Sequence, residues 1–170
     1  DLAASENKTS VGFGVQLSGL AAVTPAFTLY YDATYGHGIA DYLQDETGLG
    51  LDAVPSFEKA GSLALMESMG VTGGFTVNIT PRLALNAMYS HVTNWLPGAA
   101  RLSTDVAPGE EGPTVSPDTY RYGDYVAANL MYTFNKILAA GIEYDYGHMK
   151  MFSGDSRHTN RLQAQLSVTF

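Results

Sequence analysis

Four histidines and a few serine and aspartate residues are the side chains of this sequence that could do catalytic chemistry. The histidines are His37, His91, His148 and His158. A hydrolase pairs a nucleophile with a histidine, and the nearest approximations are Ser90 with His91 and Asp145 with His148. Neighbours in a strand point to opposite faces, so Ser90 and His91 are poorly placed to pair. No histidine has metal-ligand spacing with a carboxylate pair. The sequence therefore predicts no enzyme, no catalytic residue, no metal site and no cofactor.

A second kind of chemistry is the placement of charge along a polar surface. Asp32, Glu143, Asp145 and Arg161 recur on strand faces that are otherwise polar. Such charges would line a pore and select ions and solutes. Alternatively, they form cross-strand ion pairs that only stiffen a wall, because Glu143 and Asp145 lie on the strand next to Arg161. Both roles are compatible.

The long connections carry many carboxylates, which would either bind divalent cations at an outer surface or simply be solvated. Cations held there would bridge the chain to lipopolysaccharide, but no spacing of a calcium loop is present. These residues are Asp41, Asp45, Glu46, Asp52, Glu58, Asp105, Glu110, Glu111 and Asp118.

Composition narrows the class of protein that can position these groups. Of the 170 residues, 45% are hydrophobic and only 15% are charged, whereas a soluble domain carries about 25% charged residues. The net charge of −8 argues against a nucleic-acid partner. There is no cysteine. No apolar run approaches the ~18 residues of a membrane helix, but strands that cross a membrane need only ~10 residues each.

Strict alternation of apolar and polar residues marks seven segments as strands. They cover residues 11–21, 27–36, 69–79, 83–91, 124–134, 137–147 and 160–170. The connections alternate between short turns at residues 22–26, 80–82 and 135–136 and long ones at residues 37–63, 94–119 and 147–159. This alternation is typical of an antiparallel β-barrel of the outer membrane, with lipid outside and water inside.

On this interpretation the polar strand faces line a pore. The predicted pore-lining residues are Asp32, Asn78, Asn86, Asn129, Glu143, Asp145, Arg161 and Gln163. The first long connection has apolar residues that would let it fold inward and narrow the barrel, at Leu49, Leu51, Val54, Leu63 and Leu65. Small residues on the lipid face would suit a contact between subunits, at Gly73, Ala87, Ala128, Ala140 and Ala164.

The last strand alternates up to the terminal phenylalanine, because a barrel has no free edge only if its last strand pairs with its first. Leu166, Val168 and Phe170 resemble the assembly signal of outer-membrane proteins. If this strand ends on the short-turn side, the first of seven strands would begin outside the cell. We therefore expect residues 1–170 to be the C-terminal part of one larger barrel domain, of about sixteen strands and on the order of 400 residues.

The segment YGHGIADYLQD, residues 35–45, resembles a stretch of the DcaP-like trimeric porins. Matching residues are Tyr35, Gly36, Gly38, Ile39, Ala40 and Tyr42. Residues 12–36 look like that family's strand–turn–strand, and residues 128–147 with 166–170 look like its last strands. The resemblance implies a sixteen-stranded trimer that passes small, often anionic organic solutes. The chain departs from an anion channel in that its polar faces are not conspicuously basic.

These observations predict a porin of the Gram-negative outer membrane that lets small hydrophilic solutes diffuse through a water-filled channel. The expected partners are outer-membrane lipid, lipopolysaccharide, solutes in transit and two further copies of the chain in a homotrimer. The alternative is a small structural or adhesive barrel whose extracellular loops bind a partner. Strand number separates them, since eight strands leave an interior filled by side chains and sixteen leave a channel.

Overall fold

The computed structural model describes residues 9–59 and 61–169 of the chain. Nine β-strands follow one another: β1 Phe13–Thr24, β2 Phe27–His37, β3 Ala53–Pro55, β4 Leu63–Leu65, β5 Glu67–Thr80, β6 Leu83–Trp95, β7 Tyr120–Thr133, β8 Leu138–Met151 and β9 Ser156–Val168. Two 3-10 turns, Ala40–Tyr42 and Gln44–Glu46, lie between β2 and β3. Within the described ranges, no helix is long and apolar enough to cross a membrane. Phe170 lies outside the described residues.

Seven long strands form one antiparallel sheet in the order β1-β2-β5-β6-β7-β8-β9. The predicted all-β fold and its seven strands are thus confirmed. β3 and β4 pair only with each other, as a short ribbon inside the first long connection. The sequence pattern did not predict this ribbon, because each strand has only three residues.

Side chains at three short turns fix the register at one end of the sheet, which we call the turn end. Thr24 Oγ1 accepts from the Ala26 amide, and Thr80 Oγ1 accepts from the Arg82 and Leu83 amides. Asn135 Oδ1 accepts from the Ile137 and Leu138 amides at 2.8 and 2.9 Å. Local bonds of this kind favour a turn over continued strand.

The opposite end of the sheet, the loop end, carries the connections at residues 38–66, 96–119 and 152–155. The third of these is shorter than predicted. β8 continues to Met151 and β9 begins at Ser156, so the expected loop at residues 147–159 was wrong. Polar residues on both faces hide the alternation there, although the backbone pairing continues.

Alternation gives the sheet an apolar face and a polar face. The apolar face carries large exposed side chains, among them Leu29, Tyr31, Leu130, Ile142, Leu162 and Leu166. Leu162 and Leu166 keep 68% and 69% of their surface exposed, so this face is not a conventional protein core. The buried clusters lie instead at the loop end, where Leu43 and Leu51 pack with Val92 and Tyr120.

A glycine pair brings β1 and β2 close together at the loop end, and it supplies a test of this packing. A Cβ on Gly36 would lie 2.3 Å from the Phe13 carbonyl oxygen and 2.5 Å from the Gly14 Cα. We expect Gly36→Ala to lower the free energy of unfolding in detergent by about 1–3 kcal/mol, because backbone atoms must separate. Gly73→Ala is the control, since no atom lies within 4 Å of its added Cβ. Equal stability of the two variants in denaturant titrations would contradict this strand pairing.

Candidate functional site

A row of hydrogen-bonded side chains crosses five strands of the polar face. Thr76 Oγ1 donates to Asn86 Oδ1 at 2.7 Å, and Asn86 Nδ2 donates to Asn129 Oδ1 at 2.7 Å. Asn129 Nδ2 then donates to Glu143 Oε2 at 2.8 Å, and Gln163 Nε2 donates to Glu143 Oε1. Each residue sits directly opposite the next across the strand pairs. We call these five side chains the polar row.

The polar row has a direction that ends on Glu143. Asn86 and Asn129 each accept from one neighbour and donate to the next. Glu143 receives a donor on each oxygen, from Asn129 and Gln163. A carboxylate is an acceptor only, so it is the group that can end two converging series of donors. The row therefore holds one negative charge on an amide-rich wall.

Asp145 and Arg161 form an ion pair one row nearer the loop end. Arg161 Nε donates to Asp145 Oδ2 at 2.8 Å, and the Tyr125 hydroxyl donates to Asp145 Oδ1 at 2.8 Å. Asp145 is buried, whereas Arg161 is largely exposed. The predicted cross-strand pairing is confirmed for Asp145, but Glu143 pairs with amides instead of Arg161.

Asp32 and Asn78 complete the predicted set. Asp32 accepts from Gln16 Nε2 at 2.6 Å and from Thr34 Oγ1 at 3.3 Å. Asn78 lies on the same face near the turn end, opposite Ala84. The register thus places all eight predicted residues on one face of the sheet. Asp32 stands apart from Glu143 and Asp145, on the far side of β5 and β6.

Arg157 is a further charge on the polar face that the sequence did not reveal. Arg157 lies on β9, opposite Met149 of β8, within the stretch that was expected to be a loop. Together with Asp45, Leu49, Tyr120, Tyr125 and Met149 it borders a hollow of about 420 Å³ beside the first long connection. The charges on the polar face therefore include two arginines as well as three carboxylates.

Residues 40–46, which we call the inward segment, cover the loop end of the polar face. Leu43 packs on Gly70, where an added Cβ would lie 2.7 Å from Leu43 Cδ2. Beneath it, Ser68 Oγ donates to Asn94 Oδ1 at 2.6 Å and Asn94 Nδ2 donates to Glu46 Oε1. Of the predicted apolar anchors, Leu51 and Val54 are buried, whereas Leu49 and Leu63 stay exposed.

Glu46 is the loop carboxylate whose environment the sequence did not predict. It is fully buried rather than solvated. Burial raises the pKa of Glu46 from 4.5 to about 7, a shift opposed by the Asn94 hydrogen bond and reinforced by the charges of Asp45 and Asp52. Spacing alone gives no signal for this contact, because Glu46 and Asn94 are 48 positions apart.

Two of the four histidines, His91 and His148, meet at Asp124 on the apolar face, near the loop end. His91 Nδ1 lies 2.9 Å from Asp124 Oδ1 and His148 Nδ1 lies 3.3 Å from Asp124 Oδ2, while the Tyr89 hydroxyl donates to Oδ1 at 2.6 Å. Ser90 pairs with Tyr125 on the polar face, as its alternation with His91 predicts. Within residues 9–59 and 61–169, no group of three metal-ligating side chains could hold an ion.

Short turns alternating with longer connections and a two-faced antiparallel sheet define the class of transmembrane β-barrels. Among solved structures, the chain is similar to the outer membrane channel DcaP of Acinetobacter baumannii, with a TM-score of 0.70 and 21% sequence identity. The match covers 94% of this chain, which spans 41% of that channel's length. The chain therefore has a DcaP-like porin fold. No protein-family model matches the chain, and no curated protein matches it in sequence.

The ion pair between Asp145 and Arg161 can be tested by removing its exposed member. We expect Arg161→Gln to lower the denaturant concentration at the midpoint of unfolding, because Asp145 loses a charged donor. Arg157→Gln is the matched control on the same strand, and it should change stability by less than about 0.5 kcal/mol. Denaturant titration in detergent gives both values. If the two variants were equally stable, the ion pair would make no contribution to the stability of the protein.

Proposed function

We propose that the polar face lines the water-filled lumen of an outer-membrane channel, and that the channel lets small hydrophilic solutes diffuse passively. The observation that carries this proposal is the polar row, whose amides and Glu143 cross five strands of one face. The other face is covered with exposed aliphatic and aromatic side chains. A channel wall needs both surfaces, one towards water and one towards lipid.

The cost of exposing the apolar face to water supports a membrane location. Apolar burial is worth about 25 cal/mol per Å², and soluble monomers rarely expose apolar patches larger than a few hundred Å². Leu162, Leu166 and Ile142 are neighbours on this face and largely exposed. Hydrocarbon would cover them without cost. The similarity to an outer membrane channel supports the same location for this chain, in the outer membrane of a Gram-negative bacterium.

Size and charge would select the solutes. The hydroxyl and amide groups of the polar row offer both donors and acceptors to a passing solute, which replaces part of its hydration. Asp32, Glu143 and Asp145 face the same side as Arg157 and Arg161. This wall therefore gives anionic organic solutes no net attraction. A preference for anions would have to come from other parts of a larger barrel.

The remaining features belong to the assembled protein. We propose that residues 1–170 are the C-terminal part of a single barrel domain of about sixteen strands, which is wide enough for an aqueous channel. Leu166, Val168 and Phe170 would form its assembly signal. Small residues of the apolar face, such as Ala87 opposite Ala128, would suit contacts in a homotrimer. Its loop carboxylates would meet lipopolysaccharide through divalent cations.

Cysteine labelling tests which face meets water, and the 170 residues contain no cysteine that would react as background. We expect Asn129→Cys to react with a charged, membrane-impermeant thiol reagent in proteoliposomes, because its side chain lies in the lumen. Ala128→Cys is the adjacent control on the apolar face, and it should resist the reagent. Equal labelling of both positions, or labelling of Ala128→Cys alone, would contradict the assignment of the faces.

Charge selection is tested at the end of the polar row. We expect Glu143→Gln to shift the reversal potential in a salt gradient towards the value of an anion-selective channel, because the lumen loses a fixed negative charge. Glu110→Gln removes an exposed carboxylate from the loop at residues 96–119, and it should leave the reversal potential close to that of the unaltered protein. An unchanged potential in Glu143→Gln would mean that Glu143 does not face the path of the ions.

A further inference from the structure

The inward segment is held against the polar face by a buried apolar cluster and by one buried carboxyl group. Its backbone turns rest on bonds from the Leu43 amide to Ala40 O at 2.9 Å and from the Glu46 amide to Leu43 O at 2.9 Å. Neither 3-10 turn has a side-chain cap. Ala40 and Leu43 pack in the buried cluster with Val92 and Tyr120, and Glu46 accepts from Asn94. Of these anchors of the segment, Glu46 alone can change its charge.

The surroundings of Glu46 suit a neutral carboxyl group. Its Oε1 accepts from Asn94, an uncharged donor, and within the described part of the chain its buried Oε2 has no hydrogen-bond partner. None of the ion pairs found among the described residues includes Glu46. An ionised carboxylate in such a place would lose its hydration without receiving a cation in return.

The groups that face Glu46 add to this preference. Asp45 on the same turn and Asp52 farther along the connection are carboxylates that interact with the charge of Glu46. The Tyr120 phenol on β7 also interacts electrostatically with Glu46. Ser68 on β5 and Asn94 on β6 contribute only neutral dipoles. A negative charge on Glu46 would be repelled by Asp45 and Asp52, and of the groups named here only the Asn94 amide would stabilise it.

We propose that Glu46 is the positioning residue that sets the width of the channel, because its neutral carboxyl group docks the inward segment on the wall and its ionisation releases the segment. The proposal rests on the channel function argued above. When docked, the segment covers the loop end of the polar face above Gly70 and Asn94. When released, it would uncover that part of the wall and widen the path.

The direction of the pH effect follows from the two protonation states. The docked segment has a Glu46 pKa of about 7, and the released segment has the ordinary value of 4.5. A group whose pKa is raised by docking stabilises the docked form fully below pH 4.5, and this contribution is lost as the pH rises towards 7. Over that window the ratio of docked to released segments should fall by up to about 300-fold.

Single-channel recording of the whole protein in planar bilayers tests the proposal. We expect the conductance to rise between pH 5 and pH 8 at constant salt, and we expect Glu46→Gln to keep the low value throughout. Glutamine keeps the acceptor for Asn94 and cannot ionise. Glu58→Gln is the matched control, an exposed carboxylate of the same connection, and it should retain the pH response. The four histidines are unchanged in both variants.

A second measurement follows the segment itself, independently of current. Spin labels at Leu49→Cys, three residues after the segment, and at Thr159→Cys on β9 would both border the hollow beside the segment. We expect one narrow distance distribution at pH 5 and a broader, longer one at pH 8, with no such change when Glu46→Gln is added. The proposal is overturned if the rise in conductance and the change in spin-label distance both survive in Glu46→Gln. It is also overturned if the unaltered channel conducts but shows neither pH response. Absence of any conductance would instead overturn the channel function.

Discussion

The sheet depends on one geometric constraint: successive residues of a strand point to opposite faces. A single chain must therefore satisfy water and an apolar medium at alternate positions over six strand pairs. A slip of one residue would move Asn129 to the apolar face and Leu130 to the polar face. The backbone amides that follow Thr24, Thr80 and Asn135 donate to the side-chain oxygens of these residues and fix the register at the three short turns. Local turn chemistry thus decides which face is polar.

Polar groups of the wall are satisfied by one another rather than by a core. In the polar row each side chain donates to the next, and the row ends where Asn129 and Gln163 both donate to Glu143. Asp145 accepts hydrogen bonds from Tyr125 and Arg161. Such a network keeps the side chains in place while leaving the face open to solvent. Glu46 differs, because its buried Oε2 has no hydrogen-bond partner among the residues that the structure describes. That difference separates the permanent wall from a segment that we propose can move.

The sequence predicted the features that depend on local alternation. The seven strands, the three short turns and the common face of the eight polar residues all follow from residues close together in the chain. Features that depend on distant contacts were missed. Glu46 meets Asn94 across 48 positions, Asp124 gathers His91 and His148 from two other strands, and Arg157 lies where polar residues on both faces hide the strand. The likeness to the DcaP channel confirms the predicted fold with a TM-score of 0.70 at an identity of 21%, so the similarity lies in the fold of the backbone more than in matching residues.

The channel function requires the polar face to border a continuous path of water. The most direct measurement is the single-channel current of the purified whole protein in a planar lipid bilayer, recorded over a series of salt concentrations. A water-filled lumen predicts discrete steps whose conductance rises in proportion to bulk salt and is blocked by neutral polymers small enough to enter. If the protein inserts into the bilayer and resists extraction but gives no current steps, it holds no continuous water path, and the channel function is wrong.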